Sequence, residues 1–385
     1  MSIQTAKRLE TVEEYYFSKK LREVRALAAS GKPILNMAIG SPDLDPPKEV
    51  VQAIQSAVVL DGAHKYQSYQ GLPELRKAIS DFYNNKYKVK LNPENEILPL
   101  MGSKEGIMHI SLAYLNEGDE VLIPNPGYPT YTSVTNLVGA KPVFYDLIAS
   151  NGWEPDFEAL SKNDLSKVKI MWINYPHMPT GASGSIETLK KLISFAKNHN
   201  ILLINDNPYS FILNDTPTSI LSIDGAKEVA LELNSLSKTF NMAGWRVGMV
   251  SGSKDKIEAI LKVKSNMDSG MFQGIQKGAI AALNISDSWY SEMNTIYRER
   301  REFIWELASV LGCTYDKTAT GMFVWAKLPN GINAMEFIDT ILYQNSVFIT
   351  PGDIFGSNGE GYIRFSLCVT KENIKEAIKR LQVEA

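Results

Sequence analysis

Apolar positions along this chain follow two rhythms. Between about residues 95 and 270, short runs dense in Val, Ile and Leu alternate with longer stretches whose apolar residues recur every three to four positions. The runs Glu96–Met101, Glu120–Pro124, Lys141–Leu147, Val168–Asn174, Ile201–Asp206, Val229–Ser235 and Arg246–Ser251 have the length of strands. Their near-continuous apolar character suits a sheet covered on both faces. Lys104–Leu115, Ile186–Asn198 and Lys254–Asn266 read as helices between them. Strand and helix in alternation predict α/β layering around a mostly parallel sheet of seven strands, with functional groups collecting just past the strands' carboxyl ends.

The chain ends differ. Residues 13–30 read as an amphipathic helix closed by Gly31, after which the Pro-rich stretch Ser41–Pro47 breaks the pattern. Tyr290–Leu311 reads as one long helix, followed by strands at Gly321–Lys327 and Tyr362–Val369 and helices at Ala334–Gln344 and Lys371–Val383. The expected division is an N-terminal segment 1–47, a large α/β domain 48–275 and a smaller α+β domain 276–385 on which the N-terminal segment packs.

Composition narrows the function. Hydrophobic residues make up 44% and charged residues 22%, ordinary for a globular chain, and 40 basic against 43 acidic side chains leave a net charge of −3. That balance argues against nucleic acid as a partner. Cys313 and Cys368 alone supply no disulfide framework and no zinc spacing, and His64, His109, His177 and His199 show no ligand spacing, so no metal is expected. No apolar run approaches the roughly 20 residues of a membrane span. The opening MSIQTAKRLETVEEYY lacks a signal-peptide core. A cytoplasmic protein with a small-molecule substrate is the expectation.

Five segments carry candidate chemistry. Ser235-Leu236-Ser237-Lys238 closes an apolar strand, and alternation places Ser235 and Ser237 on one face and Lys238 on the other. Arg246 follows eight residues later, after Gly244. A lysine amine forms a Schiff base with an aldehyde cofactor, and a hydroxyl with a guanidinium suits a phosphate; a surface lysine and a salt-bridge arginine explain the residues equally well. Gly102-Ser103-Lys104 turns from strand to helix, a natural phosphate cup, although short Gly-Ser corners are common. Asp206 ends a buried strand with Tyr209 three residues on; the pair suits a pyridine nitrogen and a phenolic oxygen, or else an ordinary turn. Tyr128, in Pro126-Gly127-Tyr128-Pro129, offers a ring on a rigid loop. Arg364 sits inside the apolar strand Tyr362–Ser366 and requires an anionic partner, either a substrate carboxylate or an internal one.

In their order and spacing these segments resemble the class I/II pyridoxal-5′-phosphate-dependent aminotransferases of the aspartate-aminotransferase-like fold, from about Gly31 to the end of the chain. The resemblance implies that Lys238 is the imine lysine, with Arg246 and Ser235 at the phosphate. It places Asp206 at the ring nitrogen, Tyr209 at the ring oxygen, Tyr128 stacked on the ring, and Gly102, Ser103 and Lys104 in the phosphate corner. It likewise implies that Arg364 and the backbone of Gly40, in Ile39-Gly40-Ser41-Pro42-Asp43, hold the substrate carboxylate. Tyr66, ahead of Gly71-Leu72-Pro73-Glu74-Leu75-Arg76, would reach the phosphate of a partner subunit, so a homodimer is expected. Lys104 also occupies a position where some relatives bind a distal carboxylate, which favours an aspartate- or glutamate-type donor with 2-oxoglutarate as acceptor; a lysine that supports the phosphate or faces solvent explains it equally well, and aromatic, alanine or diaminopimelate donors stay open.

One segment departs from the family's pattern. Asn174-Tyr175-Pro176-His177-Met178-Pro179-Thr180-Gly181 carries Met178 where relatives have the asparagine of N-P-T-G. A thioether donates nothing, so Met178 is expected to reshape binding of the substrate carboxylate. Asn174, at the head of the segment, counts among the cofactor-facing residues, and His177 is either a substitute donor or a loop histidine. Two other readings share the fold: a carbon–sulfur β-lyase with a histidine in this loop, and a non-catalytic pyridoxal-phosphate-binding regulatory protein.

Overall fold

The computed structural model describes residues 3–382. Seven strands, β1 (Ile97–Leu100), β2 (Glu120–Asn125), β3 (Lys141–Asp146), β4 (Val168–Ile173), β5 (Leu202–Asp206), β6 (Ala230–Ser235) and β7 (Gly248–Gly252), form one sheet in the order β1-β7-β6-β5-β4-β2-β3. Neighbours from β6 to β3 pair in parallel, whereas β7 runs antiparallel to both β6 and β1. Every residue of β5 and β6 is buried. Successive residues of β5 divide between two cores, Leu203 on one face and Ile204 on the other, as the pleat demands. The edge strand β3 is largely exposed, which matches its more polar sequence.

Local signals place the helices on this sheet. Ile186–His199 starts where the Ser185 hydroxyl accepts the Thr188 N–H at 3.0 Å and stops at Asn200, whose φ of 53° is left-handed. Ser235 ends β6 and at once caps a short helix, Leu236–Thr239, through the Ser237 N–H at 3.1 Å. Lys238 therefore sits on a helical turn, and the strand alternation expected for residues 235–238 stops at Ser235.

A second core lies between the long helix Ser288–Val310, the helix Lys371–Gln382 and a four-stranded antiparallel sheet of Thr350–Pro351, Tyr362–Ser366, Phe323–Lys327 and Thr314–Tyr315, in that order. The N-terminal segment joins it: Leu35–Asn36 pairs in parallel with Val347–Phe348, and Phe17 and Val24 of the helix Tyr16–Ala29 pack near Phe348. Asp43 is gripped by both terminal nitrogens of Arg300, at 2.7 and 2.8 Å, and Arg300 also donates to Leu367 O. This pair, in which only Arg300 is buried, ties the Gly40 loop to the end of the strand that carries Arg364.

Several boundaries differ from those expected. The first helix starts at Tyr16 instead of 13. Position 275 falls inside the helix Gln273–Leu283, which packs on Lys48–Ala57 and Pro73–Tyr87. Arg246 precedes β7 in a left-handed conformation (φ 58°). The expected helix end at Val383 lies outside the described residues.

Candidate active site

A cavity of about 370 Å³ opens where the carboxyl ends of β5 and β6 face the small unit. One end is a cationic cup. Gly102 (φ 90°) turns the chain from β1 into the helix Ser103–Tyr114, whose first N–H groups are left free for a ligand. A Cβ at Gly102 would lie 2.2 Å from Nη2 of Arg246, so glycine is what lets the guanidinium approach this helix terminus. Arg246 donates to Ala243 O at 2.9 Å, and no carboxylate pairs with it among the described residues. Ser103, Ser235 and Ser237 line the same end, and the Ser235 and Ser237 hydroxyls lie 2.8 Å apart. This donor set suits a phosphate dianion.

Next along the cavity stand Lys238 and Asp206. Burial lowers the Lys238 pKa, with the charges of Arg364 and Arg246 pushing the same way, and its ammonium donates to Gly40 O. Asp206 is pushed up to about 6 by burial, against the opposing effects of a 3.0 Å hydrogen bond from the Tyr131 hydroxyl to Oδ2 and of the Lys238 charge. Its other oxygen, Oδ1, is buried without a partner among the described residues and is free to accept a ring N–H. Tyr128 lines the wall beside it, edge-on to Tyr131, which stacks on Trp172 at 4.9 Å. Burial also raises the Tyr209 pKa, which keeps that hydroxyl a donor.

Arg364 forms the far wall. It is 4% exposed and stacks on Phe323, 4.0 Å to the ring centre, and on Phe355 at 4.7 Å. Nη2 donates to Ala38 O at 2.9 Å, Nη1 lies 3.2 Å from the Met178 sulfur, and Nε has no partner. No carboxylate pairs with Arg364 among the described residues, so the internal-partner explanation fails and an external carboxylate fits. A Cβ on Gly40 would lie 2.3 Å from the Phe323 ring.

The remaining expected residues divide. Lys104 lines the cavity, its ammonium 5.0 Å from the centre of the Tyr15 ring and without a carboxylate partner among the described residues; burial and then Arg246 lower its pKa. Asn174 also lines the cavity, but its side chain is spent on the main chain, donating to Asp206 O and accepting the Met178 N–H at 2.7 Å. These two bonds fix the side chain in the wall of the cavity and use one of its two N–H donors. His177 is not among the lining residues: it is buried, its Nδ1 lies 2.8 Å from the Thr180 hydroxyl, and burial pushes its pKa down to about 3. It does not replace the missing asparagine. Tyr66 is 91% exposed and lies outside this chain's own cavity, while Arg76 serves as an anchor, donating to Gly71 O and Pro93 O. Contrary to the spacing argument, His109 does meet two carboxylates, Glu105 and Asp268, but the Lys264 ammonium already bonds both Asp268 oxygens.

Sequence reasoning missed several lining residues. Tyr131 could have been found, since it stands three positions after Tyr128 at the start of a helix and so shares its face. Tyr15, Phe17, Phe323 and Phe355 come from the chain ends and have no motif.

An amine, a carboxylate with a free oxygen, an aromatic wall and a phosphate cup in one cavity define a site for pyridoxal 5′-phosphate. Residues 32–381 match the family Aminotransferase class I and II. The chain is 41% identical over 384 residues to an LL-diaminopimelate aminotransferase of Dehalococcoides mccartyi, covering 98% of each. Among solved structures it is similar to substrate-bound BacF from Bacillus subtilis, with TM-score 0.95, 37% identity, and coverage of 100% of this chain and 98% of that one. It is also similar to an aspartate aminotransferase from Thermus thermophilus with maleate, with TM-score 0.93, 25% identity and both chains fully covered. The chain belongs to the class I and II aminotransferases and is a pyridoxal-phosphate-dependent transaminase.

Proposed function

We propose that this transaminase takes its amino group from an amino acid bearing two carboxylates, with LL-diaminopimelate the first donor to test and 2-oxoglutarate the acceptor. The observation that carries this reading is a pair of cations, Arg364 and Lys104, that line one cavity without an anionic partner among the described residues. Arg364 would hold the carboxylate next to the reacting carbon, and Lys104 the distal one. The name of the 41%-identical relative moves the preferred donor from aspartate or glutamate to the longer diaminopimelate. The maleate of the Thermus structure's title is likewise a dicarboxylate.

When bound, pyridoxal 5′-phosphate supplies an aldehyde that couples to amines and a ring that takes up the electron pair left as the Cα proton departs. Lys238, with its lowered pKa, is suited to carry that proton as base and then acid. Asp206 Oδ1 would accept the ring N–H, Tyr209 would donate to the ring oxygen, and Arg246 with the Gly102–Lys104 corner would hold the phosphate. In the homodimer, Tyr66 of the partner subunit would complete the phosphate site, and its exposure here supports that placement. Sedimentation of the holoenzyme as a monomer at full activity would remove the dimer from this reading.

The deciding experiment is a panel of amino donors against 2-oxoglutarate, with wild type and Lys104→Met. A distal-carboxylate contact of about 1 kcal/mol predicts a KM about fivefold higher for diaminopimelate and glutamate in the variant, and no change for alanine. Equal changes for all donors would instead put Lys104 at the phosphate. Release of pyruvate from cystathionine without an oxo acid would favour the β-lyase, a reading that the buried, averted His177 no longer supports.

A further inference from the structure

We propose that Glu232 is a positioning residue that clamps Asp206 from behind the sheet. Asp206 is flanked by Asn205 and Asn207, whose side chains alternate to the side away from Asp206. Glu232 lies opposite Asn205 in the pairing of β5 with β6. Its Oε2 accepts from Asn205 Nδ2 at 3.3 Å, from Asn207 Nδ2 at 3.4 Å and from the Ile220 N–H at 2.9 Å, while Oε1 accepts the Ser219 hydroxyl at 2.8 Å. One carboxylate oxygen thus holds both neighbours of the residue that faces the ring nitrogen.

The network continues toward the substrate. Asn205 Oδ1 accepts the Tyr175 N–H at 3.1 Å, and Asn174 joins the Asp206 carbonyl to the Met178 N–H. Glu232 therefore fixes, through neutral amides, the end of β5 and the loop that carries Met178.

Stability alone does not account for a carboxylate here. Glu232 is 0% exposed within the apolar run Ala230–Leu233, and no cation pairs with it among the described residues. Burying such a group is costly, and an apolar residue is the ordinary occupant of a central strand. What the position requires is an acceptor facing three N–H donors. Glutamine meets that requirement, with its amide oxygen toward the three donors and its NH₂ toward Ser219, whose hydroxyl accepts as well as donates. Methionine, of similar length, does not.

The clamp rests on Asp206 facing the ring nitrogen, and the experiment separates the two ideas. Holoenzymes of wild type, Glu232→Met, Glu232→Gln and Asp206→Asn are compared for pyridoxal-phosphate dissociation constant, for the pH dependence of the visible cofactor absorbance, and for kcat and KM. A misplacement of several tenths of an ångström at Asp206 predicts that Glu232→Met loses about tenfold in both cofactor affinity and kcat. Its absorbance transition shifts in pH, donor KM stays within about twofold because Arg364 is untouched, and Glu232→Gln restores all of these. A folded Glu232→Met with wild-type affinity, kcat and absorbance overturns the clamp, provided Asp206→Asn shows large losses. If Asp206→Asn is itself unchanged, the reading of Asp206 falls and takes the clamp with it. Should Glu232→Met fail to fold, Asn207→Ala removes one arm and leaves the carboxylate its other donors. It is expected to show a smaller loss in the same direction, and wild-type values there overturn the proposal.

Discussion

The sulfur of Met178 lies 3.2 Å from Nη1 of Arg364, the arginine proposed above to hold a substrate carboxylate. A thioether is a weak acceptor and no donor, so the guanidinium is held there chiefly by the Phe323 and Phe355 rings and by one carbonyl. Among the described residues no carboxylate pairs with the arginine, and Met178 adds no second donor beside it.

Replacing Met178 with asparagine would supply that donor. One hydrogen bond to a carboxylate is worth about 1–2 kcal/mol, so Met178→Asn should lower KM for the amino donor by about tenfold. The same change removes a buried apolar side chain from the small unit's core and should lower the unfolding temperature. Steady-state kinetics with two donors check the first effect; an unchanged KM for both would show that Met178 does not shape carboxylate binding.

Arg364→Lys tests the other partner. Lysine cannot offer two parallel N–H groups or a planar face to Phe323, and the loss of a bidentate, charge-assisted contact of about 2–3 kcal/mol predicts a KM about 100-fold higher. The increase should be alike for alanine, glutamate and diaminopimelate, because the carboxylate next to Cα is common to all. An increase confined to dicarboxylic donors would exchange the roles of Arg364 and Lys104.

At the opposite end, Gly102→Ala should damage the cofactor site without unfolding the protein. The added methyl would meet the Arg246 guanidinium at 2.2 Å, and φ of 90° is strained for alanine. Displacing one charged phosphate contact of about 1.5–3 kcal/mol predicts a weakening of pyridoxal-phosphate binding by about 10- to 100-fold. Titration of the apo-protein with the cofactor measures it, and wild-type affinity would mean that Arg246 does not hold the phosphate.

The groups nearest to the expected chemistry were legible because each marks a local event. Asp206 ends a strand, Lys238 sits on the helical turn just past one, Gly102 marks a strand-to-helix corner, and Arg364 is a charge inside an apolar strand. The seven strands were legible for the same reason, as apolar runs of strand length. What was not legible depends on distant parts of the chain meeting. Phe17 and Phe355, more than 300 residues apart, reach the same arginine only because Leu35–Asn36 pairs with Val347–Phe348. The fate of Asn174 was hidden as well: its amide bonds groups four and 32 residues away, and an asparagine looks the same in sequence whether it faces a ligand or its own backbone.

The Tyr131–Asp206 hydrogen bond sets a pH dependence. Burial raises the Asp206 carboxyl from 3.8 to about 6, while the tyrosine hydroxyl, which stabilises the anion, holds it from rising further. A carboxyl raised on folding stabilises the apo-protein fully below its unfolded pKa, near pH 4, and that contribution is lost as pH climbs through about 6. Cofactor binding has the opposite sign: the ring N–H needs the anion, so affinity should fall as pH drops through about 6. In Tyr131→Phe the anion loses its donor, and a charged hydrogen bond of about 1.5 kcal/mol corresponds to about one pH unit. The pH at which affinity falls should therefore move up to about 7, while affinity at pH 8.5 stays close to wild type. Cofactor titrations of both apo-proteins from pH 5 to 8.5 give the two midpoints, and coincident curves would mean that Tyr131 does not tune the carboxylate.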